Sequence, residues 1–229
     1  MNVLRSFRER GVSLALIVLI MYFVSLMQEA VSYTLVLGRL KSQLWHDLDL
    51  VAAAGSSLRG VFLLLMAALW LFKRKRALMR VIVVANTLFT AALLIHTGFL
   101  IQVLGGLSSR AVGQLIGDVV LMALSNILIF SIWYWIIDPP GVIEEEGDPR
   151  PWAFLFPQRG GNLPGYESWS PRYGDYLFVA FTTSFAFSPT DAAPLNRTAK
   201  SLMLLQSAIS VITLTGIAGS AINVLGSAS

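Results

Sequence analysis

Residues Tyr173 to Leu225 read YGDYLFVAFTTSFAFSPTDAAPLNRTAKSLMLLQSAISVITLTGIAGSAINVL, and the reading of this stretch decides the fold. It opens on an aromatic and apolar segment, Tyr176 to Phe187, passes through a Ser/Thr/Phe turn closed by Pro189, and ends in a long apolar run from Pro194 to Leu225. A helix that crosses a bilayer needs about 20 residues, so the last run is long enough and the first is not. The first is expected to enter the bilayer partway and turn back. Irregular backbone at membrane depth survives only where protein or water surrounds it, so the turn is expected to be enclosed.

The order of half-helix, polar turn and full helix resembles the pore module of tetrameric potassium channels and their relatives. Thr182 and Thr183 stand where that family has the threonines of its TTVGYGD filter. Asp191, Pro194, Leu195 and Ala199-Lys200-Ser201-Leu202 look like its run into the inner helix. The resemblance implies a pore segment made of Thr182, Thr183, Ser184, Phe185, Ala186, Phe187 and Ser188. It also implies monovalent cations as the conducted species and a homo-oligomer, a tetramer by analogy. Ser184-Phe185-Ala186-Phe187-Ser188 replaces V-G-Y-G-D, whose glycines let successive carbonyls point inward. What is implied is thus a pore module without the potassium filter. The overall pattern also resembles a family of bacterial inner-membrane proteins, which implies a multi-pass protein of that membrane.

Composition agrees with a life in lipid. Of 229 residues, 55% are hydrophobic and 13% charged, about half the charge of an ordinary soluble domain, and the mean hydropathy is +0.69. The sequence has no cysteine and two histidines, which leaves no thiolate metal site and little room for haem, copper or zinc. No cofactor and no metal are expected. The net charge of +4 comes from basic residues beside apolar runs, the pattern of membrane flanks and not of a nucleic-acid surface. No nucleophile elbow, phosphate loop or paired catalytic carboxylate appears, and an enzyme is not expected.

Four further apolar segments precede the polar middle of the chain. Val12 to Met27 follows Arg5, Arg8 and Arg10 and reads as a retained first helix, with residues 30 to 49 amphipathic beyond it. Val51 to Phe72 ends in Lys73-Arg74-Lys75-Arg76. Val81 to Val103 and Val112 to Ile137 are joined by a short Gly105-to-Ser109 turn, so they are expected to be antiparallel neighbours. Trp133-Tyr134-Trp135 reads as an aromatic belt at the lipid interface, and Asp138-Pro139-Pro140-Gly141 stops the helix. Residues 138 to 172 read as an irregular polar loop, with Trp152, Phe154, Phe156 and Trp169 folding back onto the hairpin. Its acidic run, Glu144 to Asp148, is either a solvated loop or a collector of divalent cations. The expected organisation is a four-helix region over 1–137, the loop over 138–172 and the pore-like unit over 173–229. That is an all-α integral membrane protein with five transmembrane helices and a re-entrant hairpin before the last.

Ionisable groups inside lipid are rare and face protein or water. His96 near the end of the third helix and Asp118 near the start of the fourth fall at equal depth, at 1.5 Å per residue, below one surface. They form either a proton relay or a hydrogen-bonded packing pair. Asn86, Gln102, Asn126 and Ser125 read as interhelical hydrogen bonds. Gly216, Gly219 and Ser220 give the last helix a side of small residues that another helix can approach. Asn196-Arg197-Thr198 matches a glycosylation sequon, which a bacterial origin voids. The hairpin itself is either a pore, with Phe185 and Phe187 as a hydrophobic constriction, or a structural plug. The alternative functions are a non-conducting scaffold or sensor acting through loop 138–172, and a small proton-coupled transporter using His96 and Asp118. The positive-inside rule places the N-terminus, the Lys73-to-Arg80 loop, the acidic loop and the hairpin on the cytoplasmic side, opposite to the side from which potassium-channel pore loops enter.

Overall fold

The computed structural model describes residues 3–32, 34, 60–62, 64–69, 71–72, 74–104, 112–138, 151–160, 163–166, 169–185 and 192–227. The amphipathic residues 35–49, the turn at 105–109, the acidic run 144–148 and the pore positions Ala186, Phe187 and Ser188 lie outside them. The elements in chain order are α1 (Val3–Val31), α2 (Lys75–Leu104), α3 (Val112–Ile137), β1 (Phe154–Leu155), α4 (Pro157–Gly160), α5 (Tyr173–Phe185), β2 (Ala193–Pro194) and α6 (Arg197–Ser227). Helix dominates, as the apolar runs predict.

Three helices are long and apolar enough to cross a membrane, over Ala77–Gln102, Leu115–Ile137 and Arg197–Gly216. Ala15–Val31 within α1 and the helical segment Gly60–Leu69 are apolar but shorter. Helix α3 is the centre of the bundle. Its apolar window is 61% buried, against 28% for α2 and 39% for α6, and it packs on α1, α2, α5 and α6. Val119, Met122, Ile129, Phe130, Ile132 and Tyr134 of α3 are all buried. The outer faces are apolar too: Val84, Leu88 and Ile95 on α2 and Leu204 on α6 are each more than half exposed. Helices that are apolar inside and out suit a lipid surround and not water, which fits a membrane protein.

Hydrogen bonds fix the helix directions. Gln28 Nε2 donates to the Phe89 carbonyl at 2.7 Å, and four residues further along α1 Ser32 meets His96, so α1 and α2 rise together. Thr34 meets Asp118, while Met27, further down α1, meets Ser125, so α3 descends. Helix α6 rises again, because Gln206 lies beside Tyr134 and Gly216 beside Val119 and Leu100. One end of the bundle, the base, therefore gathers the starts of α1, α2 and α6 and the finish of α3. In the apolar segment Gly60–Leu69, Met66 is buried and Phe62 and Leu69 pack on the core.

Trp133-Tyr134-Trp135 is not a lipid-facing belt. Tyr134 and Trp135 are buried, and Trp133 donates its Nε1–H to Thr90 Oγ1 on α2 at 2.9 Å. The polar tips of Trp133 and Tyr134 find partners inside the protein, because α3 has neighbours on every side.

Candidate functional site

The base is organised by Asp138, whose side chain is fully buried. Its Oδ1 accepts the backbone N–H groups of Ala153 at 2.7 Å and Phe154 at 3.1 Å. Its Oδ2 accepts Arg159 Nη1 at 2.9 Å and the Tyr176 hydroxyl at 2.6 Å. One carboxylate thus ties the finish of α3 to the loop, to α4 and to α5. Burial raises the Tyr176 phenol pKa, and the adjacent Asp138 carboxylate raises it further, so Tyr176 remains a donor. Rings pack around this node: Tyr134 on Phe154 at 5.1 Å, Phe156 on Tyr176 and on Trp169 at 5.6 Å each. Phe154, Phe156 and half-buried Trp169 fold back as predicted, whereas Trp152 stays exposed and carries the Arg159 guanidinium over its ring at 4.7 Å. The loop is anchored through Asp138, and not merely ended by it.

Helix α5 starts earlier than the apolar pattern suggests. Arg172 is its cap, and Asp175 three residues on takes the Arg172 backbone N–H at 2.6 Å, the N3 half of a capping box. The helix has 13 residues, a length of about 20 Å, and continues through Phe185. Thr182, Thr183, Ser184 and Phe185 are therefore helical, and not part of an extended turn with free carbonyls. Thr183 Oγ1 donates to the Val179 carbonyl at 2.7 Å, and Thr182 Oγ1 to Phe178 and Val179. Their hydroxyls bond back to their own helix, and that of Thr183 also meets the Tyr134 hydroxyl on α3.

The buried face of α5 is Tyr173, Tyr176, Val179, Ala180, Thr183 and Ser184, a helical repeat facing α3 and α6. Gln206, fully buried midway along the apolar window Arg197–Gly216 of α6, holds that face in place. Its Nε2 donates to the Ala180 carbonyl and to Ser184 Oγ, both at 2.7 Å, and its Oε1 accepts the Tyr134 hydroxyl. Asn126 on α3 donates to the Gln206 carbonyl at 3.2 Å and to Ser210 at 2.9 Å. Lower down, Tyr173 and Ser131 share a hydrogen bond of 2.6 Å. The opposite face of α5 exposes Phe178, Phe181 and Phe185, each about half, with the rings of Phe181 and Phe185 at 4.8 Å.

Beyond α5 the chain is back at the base by Ala193. Strands β1 and β2 pair antiparallel, Phe154 opposite Pro194 and Leu155 opposite Ala193, and the Leu195 N–H donates to the Ala153 carbonyl at 2.8 Å. Pro194 thus belongs to this strand pair, and α6 begins at Arg197. Asn196 caps it by accepting the Ala199 N–H at 2.8 Å. The sequon asparagine serves as a helix cap.

His96 and Asp118 are both buried, at 3% and 5% exposure. They do not bond to each other; each meets a hydroxyl at the end of α1. Ser32 Oγ and His96 Nε2 share a hydrogen bond of 2.7 Å, and Thr34 Oγ1 donates to Asp118 Oδ1 at 2.5 Å. Asn86 donates to the Ile129 carbonyl at 3.1 Å and Ser125 to Met27 sulfur at 3.8 Å. These are interhelical bonds, whereas Gln102 is exposed. Gly216 is the small residue that seats α6: an added Cβ would lie 3.4 Å from Leu100 and from Val119, whereas Gly219 is exposed. Among the described residues no group of three or more His, Cys, Asp or Glu could hold a metal ion.

A search of the ionisable residues alone overlooks Gln206, and reading Asp138 as a helix stop overlooks its buried bonds. A lone amide in the apolar run LMLLQSAIS and an acid directly before Pro-Pro were the available signals. Comparison with family models, curated proteins and solved structures finds no match to this chain.

Proposed function

We propose that this protein is an oligomeric pore-loop membrane protein that conducts monovalent cations, with five crossings and a re-entrant hairpin formed by α5 and the return to β2. The observation that carries this reading is the geometry of the hairpin. A 13-residue helix leaves the Asp138 node, reaches Gln206 midway along the apolar window Arg197–Gly216 of α6, and the chain comes back beside Phe154. Eight residue steps separate Phe185 from Ala193, a reach of up to about 27 Å, which suffices for a return from half depth. Burying the amide of Gln206 and the carboxylate of Asp138 costs free energy unless both are bonded. Their bonds supply a reason for the half-helix to stay inside the bundle. The aromatic stripe Phe178, Phe181 and Phe185 supports assembly, because one hairpin cannot enclose a conduction path and a second copy would cover those rings.

The hairpin opens to the cytoplasm. Arg5, Arg8 and Arg10 on α1, Arg74, Lys75 and Arg76 at the start of α2, and Arg197 and Lys200 at the start of α6 all belong to the base. Basic residues flank crossings on the cytoplasmic side. With the base inside, α1, α2 and α6 run outward, α3 runs inward, and the apolar run Val51 to Phe72 is the fifth crossing expected from the sequence.

Reconstituted vesicles test the proposal. Cation flux is expected in the unmodified protein, and Phe185→Ala is expected to change its rate severalfold. Vesicles silent to several cations, holding folded protein, would overturn conduction. A reporter active only outside the cytoplasm, fused after residue 160 and found active, would overturn the orientation.

A further inference from the structure

At the end of the bundle away from the base, a buried imidazole has one nitrogen without a partner among the described residues. Nδ1 of His96 meets no described donor or acceptor, while Nε2 is paired with Ser32. An orphaned polar atom in a buried site costs about 1–3 kcal/mol and calls for an explanation such as a chemical role or a small ligand. Asp118 lies at the same level, since the hydroxyls that hold the two side chains, Ser32 and Thr34, sit two residues apart at the finish of α1, about 3 Å of rise. That finish is wound as a π-type turn at Ser32 and Thr34, a local widening often associated with function. Thr34 engages Asp118 Oδ1 and leaves Oδ2 uncommitted.

We propose that His96, Ser32, Thr34 and Asp118 form a proton-binding site. With Nε2–H donating to Ser32 Oγ, Nδ1 holds a bare lone pair, the form of a ring ready to accept a proton. The added proton makes Nδ1–H a donor, and the uncommitted Asp118 oxygen is the acceptor and the counter-charge. A metal ion fits poorly, since two ionisable ligands fall short of the usual complement. The charged groups around the ring are few among the described residues. Helix α3 contributes Asp118, α1 contributes Gln28 and the exposed Glu29 a turn away, and α6 presents Thr213 and Gly216. The inference is independent of conduction, because it concerns the opposite end of the bundle.

The test is NMR of the full chain in micelles with ¹⁵N-labelled histidine and His46→Gln, which leaves His96 as the single histidine. The ring is expected to take up one proton as the pH is lowered. The midpoint is expected to fall by about one pH unit in Asp118→Asn, because a neighbouring carboxylate favours the imidazolium. Thr34→Val, which frees Oδ1 without removing charge, is expected to shift it less. If His46→Gln fails to fold, both ring signals of the unmodified chain are followed and His96→Gln identifies which belongs to His96. A ring that keeps one neutral tautomer throughout, or a midpoint indifferent to Asp118→Asn, would overturn the proposal. So would a midpoint that moves only when sodium replaces potassium in the buffer, which would make the site a cation site.

Discussion

The base of the bundle and its far end each bury one carboxylate, and they treat it differently. At the base, Asp138 accepts four hydrogen bonds, from two backbone N–H groups, a guanidinium and a phenol. At the far end Asp118 has one described donor, and the neighbouring His96 leaves Nδ1 unpaired. A fully satisfied buried network rigidifies its surroundings, while an unsatisfied buried group calls for an explanation, a chemical role among them. Architecture belongs to the base, where the loop and α5 are fastened, and the proposed proton site lies at the far end.

The largest test of that contrast removes the fastening. Asp138→Ala leaves the Arg159 guanidinium without its carboxylate at a site where its side chain is 7% exposed, and it strips acceptors from Ala153, Phe154 and Tyr176. Breaking a buried pair this way is expected to lower stability by about 3–5 kcal/mol, measured by denaturant unfolding in mixed micelles. A loss under about 1 kcal/mol would mean that the aromatic cluster alone holds the base together.

Next in size is Gln206→Leu. It keeps the volume of the side chain roughly constant but takes away a partner of the Tyr134 hydroxyl and of Ser184 Oγ, for an expected loss of about 1–2 kcal/mol, between the soluble-protein and membrane values for such bonds. Because Gln206 holds α5 at its midpoint, cation flux should fall with it, whereas Asn126→Ala, which touches only α6, should spare flux. Equal effects of the two variants on flux would dissolve the special role given to α5.

How much of this was legible beforehand depends on the kind of signal. Long apolar runs such as Leu115 to Ile137 announce themselves by length and hydropathy alone. That the segment before Pro189 is short was legible as well, because Tyr176 to Phe187 has too few residues to cross. Its bounds were not: the hydroxyls of Thr182 and Thr183 can bond back to the preceding turn, so a polar run that reads as loop stays helical. The belt Trp133-Tyr134-Trp135 was misplaced for a related reason, since a run of aromatics looks the same whether lipid or four other helices surround it. The roles of Asp138 and Gln206 arise from partners 15 to 72 residues distant, and no local pattern records such partners. His96 and Asp118 were found at one depth by counting rise, but their link through Ser32 and Thr34 depends on where α1 comes to rest.

The smallest effect belongs to the far end, and it separates the two ends most cleanly. His96→Leu removes the orphaned Nδ1 together with the bond to Ser32, whose hydroxyl can turn back to a carbonyl of its own helix, as Thr97 Oγ1 does to Leu93. Losing one hydrogen bond costs about 1 kcal/mol, and removing an unsatisfied buried atom returns a similar amount. The expected change is within about 1 kcal/mol of zero, by the same micelle unfolding that reports Asp138→Ala. A loss of about 3 kcal/mol would mean that His96 has a structural partner after all, and the division between a fastening end and a chemical end would fail. A near-zero result, beside a large one at Asp138, would show that the buried histidine is not kept to stabilise the fold.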